Sequence, residues 1–157
     1  MKKSSEKTLE LLVPAGDLEK LRTAIRFGAD AVYLGGSAFG LRANAGNFSL
    51  DDLRQARELT RASGVQLYLT LNASLQPGEF GKLTHLLEEL RPLDLDAYIV
   101  ADPGVLAQVR QVDPQRAIHI STQANTCNPA AAEFWRHNGA NRINLARELT
   151  LEDIREF

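Results

Sequence analysis

Polar side chains occupy alternate positions in two short aliphatic runs of this chain. Leucines alternate with polar residues over positions 66–72, and isoleucines do so over positions 118–123. Successive side chains of a strand point to opposite faces, so each run has one aliphatic face and one face of hydrogen-bonding groups. The polar positions are Tyr68, Thr70 and Asn72 in the first run and His119, Ser121 and Gln123 in the second. These groups predict a polar-lined cavity that binds a small molecule or transfers protons.

The same alternation adds candidates from other runs, because Glu10, Tyr33 and Asn144 each stand between aliphatic neighbours. Carboxylates and imidazole can carry protons, and an arginine fork can hold a carboxylate or a phosphate. Our candidates for catalysis are Asp102, His119 and Glu148, and those for substrate binding are Glu10, Arg42, Asn72, Gln123, Asn125 and Arg147. Arg42 lies in a long glycine-rich segment, residues 35–48, of the kind that often binds ligands.

Structural roles compete with chemistry at several of these positions. Asp102 precedes Pro103, so helix capping explains its carboxylate as well as proton transfer does. Arg42 could instead form a surface salt bridge, and Arg147 and Glu148 could pair with each other rather than flank a substrate. The three tyrosines favour filling the cavity, with hydroxyls that reach a partner: Tyr33, Tyr68 and Tyr98.

Each strand-like run is followed by a segment with the periodicity of an amphipathic helix. The predicted helices cover residues 17–27, 50–62, 79–91, 103–112 and 129–137, and a sixth begins at Leu151. Capping signals accompany these starts: Asp17, Ser49 with Asp52, Asn128 before Pro129, and Thr150 with Asp153. Glycines suited to the left-handed end of a helix precede three strands, at Gly28, Gly64 and Gly139.

Six alternations of strand and helix predict an α/β fold with a parallel sheet. In an open doubly wound sheet, helices cover both faces and the strands tend to be apolar throughout. Polar residues on one parity favour a (β/α) barrel of the triosephosphate isomerase type. That barrel has eight units in about 250 residues, so 157 residues predict an incomplete barrel of six units. We expect residues 1–8 to be a disordered polar leader and residues 9–157 to be the N-terminal part of the barrel of a longer protein.

Composition narrows the class of function. A net charge of −2 lacks the basic footprint of an autonomous nucleic-acid binder. Residues 1–8 lack the apolar segment of a secretion signal, and no run approaches the roughly 18 apolar residues of a membrane helix, so we expect a cytoplasmic protein without membrane contact. The single cysteine, Cys127, excludes an internal disulfide and a cysteine-only metal site. We expect no metal or cofactor bound by this chain itself.

Five segments of the chain together resemble a known family. They are ELLVPAG at 10–16, GADAVYLGG at 28–36, IVADPG at 99–104, IHISTQAN at 118–125 and LAREL at 145–149. In this order they resemble the N-terminal half of the collagenase-like peptidase family of unassigned catalytic type, over residues 9–157. The name of the family that the chain resembles implies that its members hydrolyse proteins. The resemblance is nearest, however, to the branch that hydroxylates tRNA without oxygen, and other members act on ribosomal RNA or the ubiquinone ring.

The resemblance also implies cofactors and partners. Similar proteins carry an iron-sulfur cluster on cysteines downstream of this segment, and prephenate is the hydroxyl donor implied for the RNA-modifying branch. We therefore expect tRNA uridine hydroxylation for the whole protein, tRNA contact through other regions, and no activity of this chain alone. Two alternatives stay open: a peptidase, and a non-catalytic subunit that binds a related chain or itself. The peptidase signal is weak, because Ser121 and His119 share one strand and no His-Glu-x-x-His helix is present.

Overall fold

A computed structural model of the protein describes residues 9–36 and 48–157. The chain forms a parallel sheet with helices on its outer side. The strands are β1 (Leu12–Pro14), β2 (Ala31–Gly35), β3 (Gln66–Leu71), β4 (Ala97–Val100), β5 (Ala117–Ile120) and β6 (Arg142–Ile143). The helices are α1 (Leu18–Arg26), α2 (Leu50–Ser63), α3 (Phe80–Leu90), α4 (Pro103–Val112), α5 (Pro129–His137) and α6 (Leu151–Arg155). Every strand pairs with the next in the chain, and the sheet curls into a half-barrel. The predicted barrel-type α/β fold is confirmed.

Local capping chemistry sets the helix starts. The Ser49 and Asp52 side chains form a reciprocal capping box at α2, and Thr150 with Asp153 does the same at α6. The Asn128 side chain accepts the N–H of Ala131 at the start of α5. These contacts satisfy backbone donors that a helix leaves unpaired, which is why the predicted starts are confirmed.

The two faces of the sheet differ as the alternation predicts. The helix-facing side is aliphatic and continuous with the main core; its strand residues include Val32, Leu34, Leu67, Leu69, Val100, Ile118 and Ile120. The inner side holds a smaller cluster around Tyr68, Ala97 and Ile99, with Tyr33 packed against it. The inner side is therefore where polar groups can meet.

Tyr98 contradicts the prediction that all three tyrosines fill the inner side. It belongs to the helix-facing core, because the register places its neighbour Ile99 opposite His119 on the inner face. The Tyr98 ring is fully buried, and burial, with the charge of nearby Asp113, raises the pKa of its hydroxyl. Tyr98 is thus a core residue and lies outside any inner cavity.

Strand lengths also differ from the sequence pattern at two places. Strand β5 ends at Ile120 rather than continuing to Gln123, because the Ser121 hydroxyl accepts the N–H of Gln123 and begins a 3₁₀ turn. Strand β1 begins only at Leu12, and Leu9 and Leu11 are exposed rather than packed in a core. Residues 1–8 and Arg42 lie outside the described residues. Within the described ranges, no helix is long and apolar enough to span a membrane.

Candidate functional site

An ion pair crosses the inner side of the half-barrel between its two edges. Arg142, the first residue of β6, donates through Nη1 to Glu10 Oε1 at 2.5 Å and through Nη2 to Oε2 at 3.1 Å. Glu10 precedes β1, so 132 residues separate the partners. The Arg142 guanidinium holds the pKa of the Glu10 carboxyl below its usual value. A bidentate contact of this kind is stronger than a single hydrogen bond between arginine and a carboxylate. It can form here because the sheet curls and brings its two edges together.

Tyr68 joins this ion pair to the middle of the barrel. Its hydroxyl donates to Glu10 Oε2 at 3.0 Å and lies 2.5 Å from Gln66 Oε1. The Arg142 guanidinium carbon stands 5.7 Å from the centre of the Tyr68 ring. Burial, with the neighbouring Glu10 charge, raises the pKa of the Tyr68 hydroxyl to about 12. Tyr68 therefore acts as a neutral hydrogen-bonding side chain at physiological pH, which agrees with a cavity-filling role.

His119 lies one layer nearer the carboxyl ends of the strands. Only 6% of it is exposed, and its ring packs edge-on against Tyr68 with the ring centres 4.6 Å apart. No described side chain or backbone group hydrogen-bonds to its nitrogens. Burial, followed by the charge of Arg142, lowers the pKa of His119 to about 4. A neutral imidazole has one donor and one acceptor nitrogen.

Amides and a hydroxyl gather where β3 and β5 end. The Asn72 amide donates to the side-chain oxygen of Gln123. The Ser121 hydroxyl lies 3.3 Å from the same oxygen. Nearby, the Asn144 amide donates to the Ile120 carbonyl at 2.9 Å. These groups stand at the carboxyl end of the sheet, the end at which barrel enzymes build their active sites.

The other predicted residues that the structure describes follow strands and so lie at the same end. Asp102 Oδ1 accepts the N–H groups of Gly104 and Val105, so it caps α4 as its position before a proline predicts. Arg147 and Glu148 are exposed, and the described ion pairs do not join them to each other. Asn125 is exposed and adopts a left-handed conformation with φ of 56°. Arg42 falls outside the described residues.

The predicted residues therefore divide into two groups. Glu10 precedes β1 and binds Arg142, which is the strand-pairing partner of His119, whereas Asn72 and Gln123 meet at the carboxyl ends of the strands. Sequence reasoning missed Arg142. The sequence does contain a signal for it. Arg142 stands two positions before Asn144 in the same strand-like run, so both side chains point to the same face, and Asn144 is already predicted to lie on the inner face.

The described residues offer no ligand set for an iron-sulfur cluster. Cys127 is exposed, and no group of three or more histidine, cysteine or acidic side chains could hold a metal within residues 9–36 and 48–157. A cluster needs several cysteine thiolates.

The chain is similar in sequence to several known proteins. It is 39% identical over 148 residues to a tRNA hydroxylation protein of Bacillus subtilis, over 94% of this chain and 35% of the relative. It is 40% identical over 152 residues to the 23S rRNA 5-hydroxycytidine synthase of Escherichia coli, over 96% of this chain and 22% of that protein. The chain spans about a third or less of the length of these relatives.

A solved structure and a family model agree with these relatives. The structure of a U32 peptidase superposes with a TM-score of 0.74 at 16% identity, covering 92% of this chain and 61% of the other. At that identity the likeness concerns the fold alone. The model of peptidase family U32 matches residues 16–157. Because that match takes in most of the chain, this protein belongs to peptidase family U32.

Proposed function

We propose that this chain is the barrel segment of a protein that hydroxylates uridine in tRNA without oxygen. The observation that carries the proposal is 39% identity, over 94% of the chain, to a protein named for tRNA hydroxylation. The similarity to an rRNA hydroxycytidine synthase over 96% of the chain points to the same class of chemistry on RNA. Such a protein would work in the cytoplasm, where tRNA is found.

The carboxyl ends of the strands support binding of a small polar molecule. Asn72, Gln123 and Ser121 present amide and hydroxyl groups within hydrogen-bond distance of one another. Amides both donate and accept, so this group suits the hydroxyl, carbonyl and carboxylate oxygens of a compact ligand. We place the hydroxyl donor here, an anionic molecule such as prephenate, with Arg147 at the rim. Contact with tRNA is assigned to other regions of the protein.

His119 is our first candidate for proton transfer. It is neutral near pH 7, it is almost fully buried, and its nitrogens have no partner among the described residues. A buried neutral imidazole can accept a proton from a hydroxyl or donate one to an oxygen. Asp102 and Glu148 remain candidates of second rank, since Asp102 already caps a helix and Glu148 is exposed.

Deletion of the gene that encodes this chain tests the proposed function. We expect hydroxylated uridine to disappear from the tRNA of the deletion strain, measured by mass spectrometry of tRNA nucleosides. The native gene should restore it, and a gene carrying His119→Ala should not. The exposed Gln111→Ala is the matched control and should restore it fully. Asp102→Asn keeps the capping oxygen but removes the ionisable group, so loss of activity in that variant would assign Asp102 a chemical role.

Two results would contradict the proposal. The first is an unchanged hydroxyuridine content in tRNA after deletion. The second is cleavage of gelatin or a peptide by the native protein that Ser121→Ala abolishes, since that result assigns a peptidase nucleophile. If only ribosomal RNA lost a hydroxylated nucleoside, the proposed hydroxylation would stand, but its substrate would be ribosomal RNA rather than tRNA.

A further inference from the structure

Arg142 stands next to His119 on the inner face of the sheet. The two residues are direct partners in the pairing of β5 with β6. The Arg142 guanidinium also lies over the Tyr68 ring, and that ring packs edge-on against the imidazole. Arg142, Tyr68 and His119 therefore form a triangle in which each member contacts or borders the other two.

Glu10 fixes one corner of this triangle. It binds the Arg142 fork through both carboxylate oxygens and accepts the Tyr68 hydroxyl. The ion pair is only partly shielded, with 39% of the Arg142 side chain and 25% of the Glu10 side chain exposed. Two neighbours of the imidazole are consequently held from the far side of the barrel, by a residue at the opposite edge of the sheet.

We propose that Arg142 is a positioning residue for His119, and that the contacts of Arg142 with Glu10 and Tyr68 hold it in that role. Arg142 favours the neutral imidazole because a positive charge beside it opposes protonation. Tyr68 restricts the ring to one orientation by packing against its edge. The inference rests on the proposed function of His119, but its central claim concerns the charge state of that side chain and can be tested without substrate.

The groups that surround His119 contain no other cation among the described residues. The charges that act on His119 are those of Glu10, from the segment before β1, and Arg142, from β6. Tyr68 of β3 packs against its ring, and Ile99 of β4 and Arg142 are its partners in strand pairing. Of the charged pair, the arginine opposes protonation and the carboxylate favours it. The arginine has the larger effect on the pKa of His119, after burial.

NMR titration of the imidazoles in the 157-residue chain tests this inference. The chain has three histidines, so the signals can be assigned with His85→Gln and His137→Gln. The His119 pKa should be about 4 in the native chain. In Arg142→Met it should rise by about one unit or more, because a nearby cation is removed while Glu10 remains. Arg142→Lys keeps the charge and should keep the pKa low.

Matched variants separate a local charge effect from a general one. Arg61→Gln removes an exposed arginine that pairs with Asp94, and it should leave the His119 pKa unchanged. In Glu10→Gln the amide oxygen can still accept an N–H of Arg142, so Arg142 keeps its place and its charge while the opposing carboxylate charge is lost. The His119 pKa should therefore stay low or fall further. An unchanged His119 pKa in Arg142→Met would overturn the inference. So would a raised pKa in Glu10→Gln, which also decides the matter if Arg142→Met does not fold.

An activity measurement distinguishes failure of this inference from failure of the proposed function. If the deleted gene proves to be required for tRNA hydroxylation, Arg142→Met should shift the acidic limb of the pH–activity profile to higher pH by the amount seen in the titration. Arg142→Lys should restore the native profile. A pKa shift without any hydroxylation activity would retain the positioning role and reject the function. Hydroxylation with an unshifted profile would reject the positioning role alone.

Discussion

His119 should make the stability of the protein fall in mild acid. Its pKa in the folded chain is about 4, against an ordinary value of 6.5. Between these values the unfolded chain binds a proton at this position and the folded chain does not, so folding loses free energy as the pH falls. We expect the free energy of unfolding in urea to drop by about 2 kcal/mol from pH 7.5 to pH 5 because of His119.

The variant His119→Gln should remove that drop. The carboxylates with lowered pKa values contribute below this window, since their ordinary values are 4.5 and 3.8. The matched control is His85→Gln, whose side chain is 75% exposed and which should retain the native pH dependence. Equal slopes for the native chain and His119→Gln would show that the imidazole takes up its proton over the same pH range in the folded and the unfolded chain, so that folding does not lower its pKa.

The second prediction concerns the glycines at the ends of two helices. Gly64 ends α2 with φ of 68°, and Gly139 follows α5 with φ of 91°. An added Cβ meets nothing within 4 Å at Gly64, but at Gly139 it would lie 2.9 Å from Arg110 Nε. Gly64→Ala should therefore cost about 1 kcal/mol of stability, from the left-handed backbone alone.

Gly139→Ala should cost about 1 kcal/mol more than Gly64→Ala, because Arg110 would have to leave its backbone acceptors. Those acceptors are the carbonyls of Pro114, Arg116 and Gly139. Gly78→Ala is the control, since that position has open space and no positive φ. Urea unfolding at pH 7.5 measures all three variants. Equal losses of stability in Gly64→Ala and Gly139→Ala would show that Arg110 can move away from the added Cβ without destabilising the protein.

The whole molecule exposes apolar side chains at both edges of its sheet. Near β1, Leu11 is 53% exposed and Phe27 is 79% exposed, and both line an apolar groove beside α1. Near β6, Phe134 is 53% exposed and Leu151 is 77% exposed. Apolar surface beside an unpaired strand edge promotes association. We expect the 157-residue chain to self-associate as its concentration rises, measured by sedimentation velocity.

Charge at one edge should weaken that association. Phe27→Glu should raise the concentration at which oligomers form by about tenfold, which corresponds to about 1.4 kcal/mol. Gln111→Glu adds the same charge at an exposed position on α4, away from both edges, and should change nothing. A chain that stays monomeric at every concentration tested would show that these exposed apolar side chains do not drive association.

The sequence by itself determined the order of the elements, most helix starts and the two faces of the inner strands. Caps, such as Ser49 with Asp52, act over three residues and are visible as local patterns. Alternation likewise fixes which face a side chain takes once a strand is assumed. It misled for Tyr98, because a four-residue strand of aliphatic and aromatic residues gives no polar face from which to set the parity.

Only the tertiary structure decided which of these side chains meet. Glu10 and Arg142 are 132 residues apart and come together because the sheet curls, so no local pattern encodes their pairing. The parallel sheet also separates Glu10, which precedes a strand, from Asn72 and Gln123, which follow strands, although alternation had placed all three in one set. The low pKa of His119 is also a tertiary property. It arises from burial and from a cation on the neighbouring strand, and both exist only after the strands have assembled.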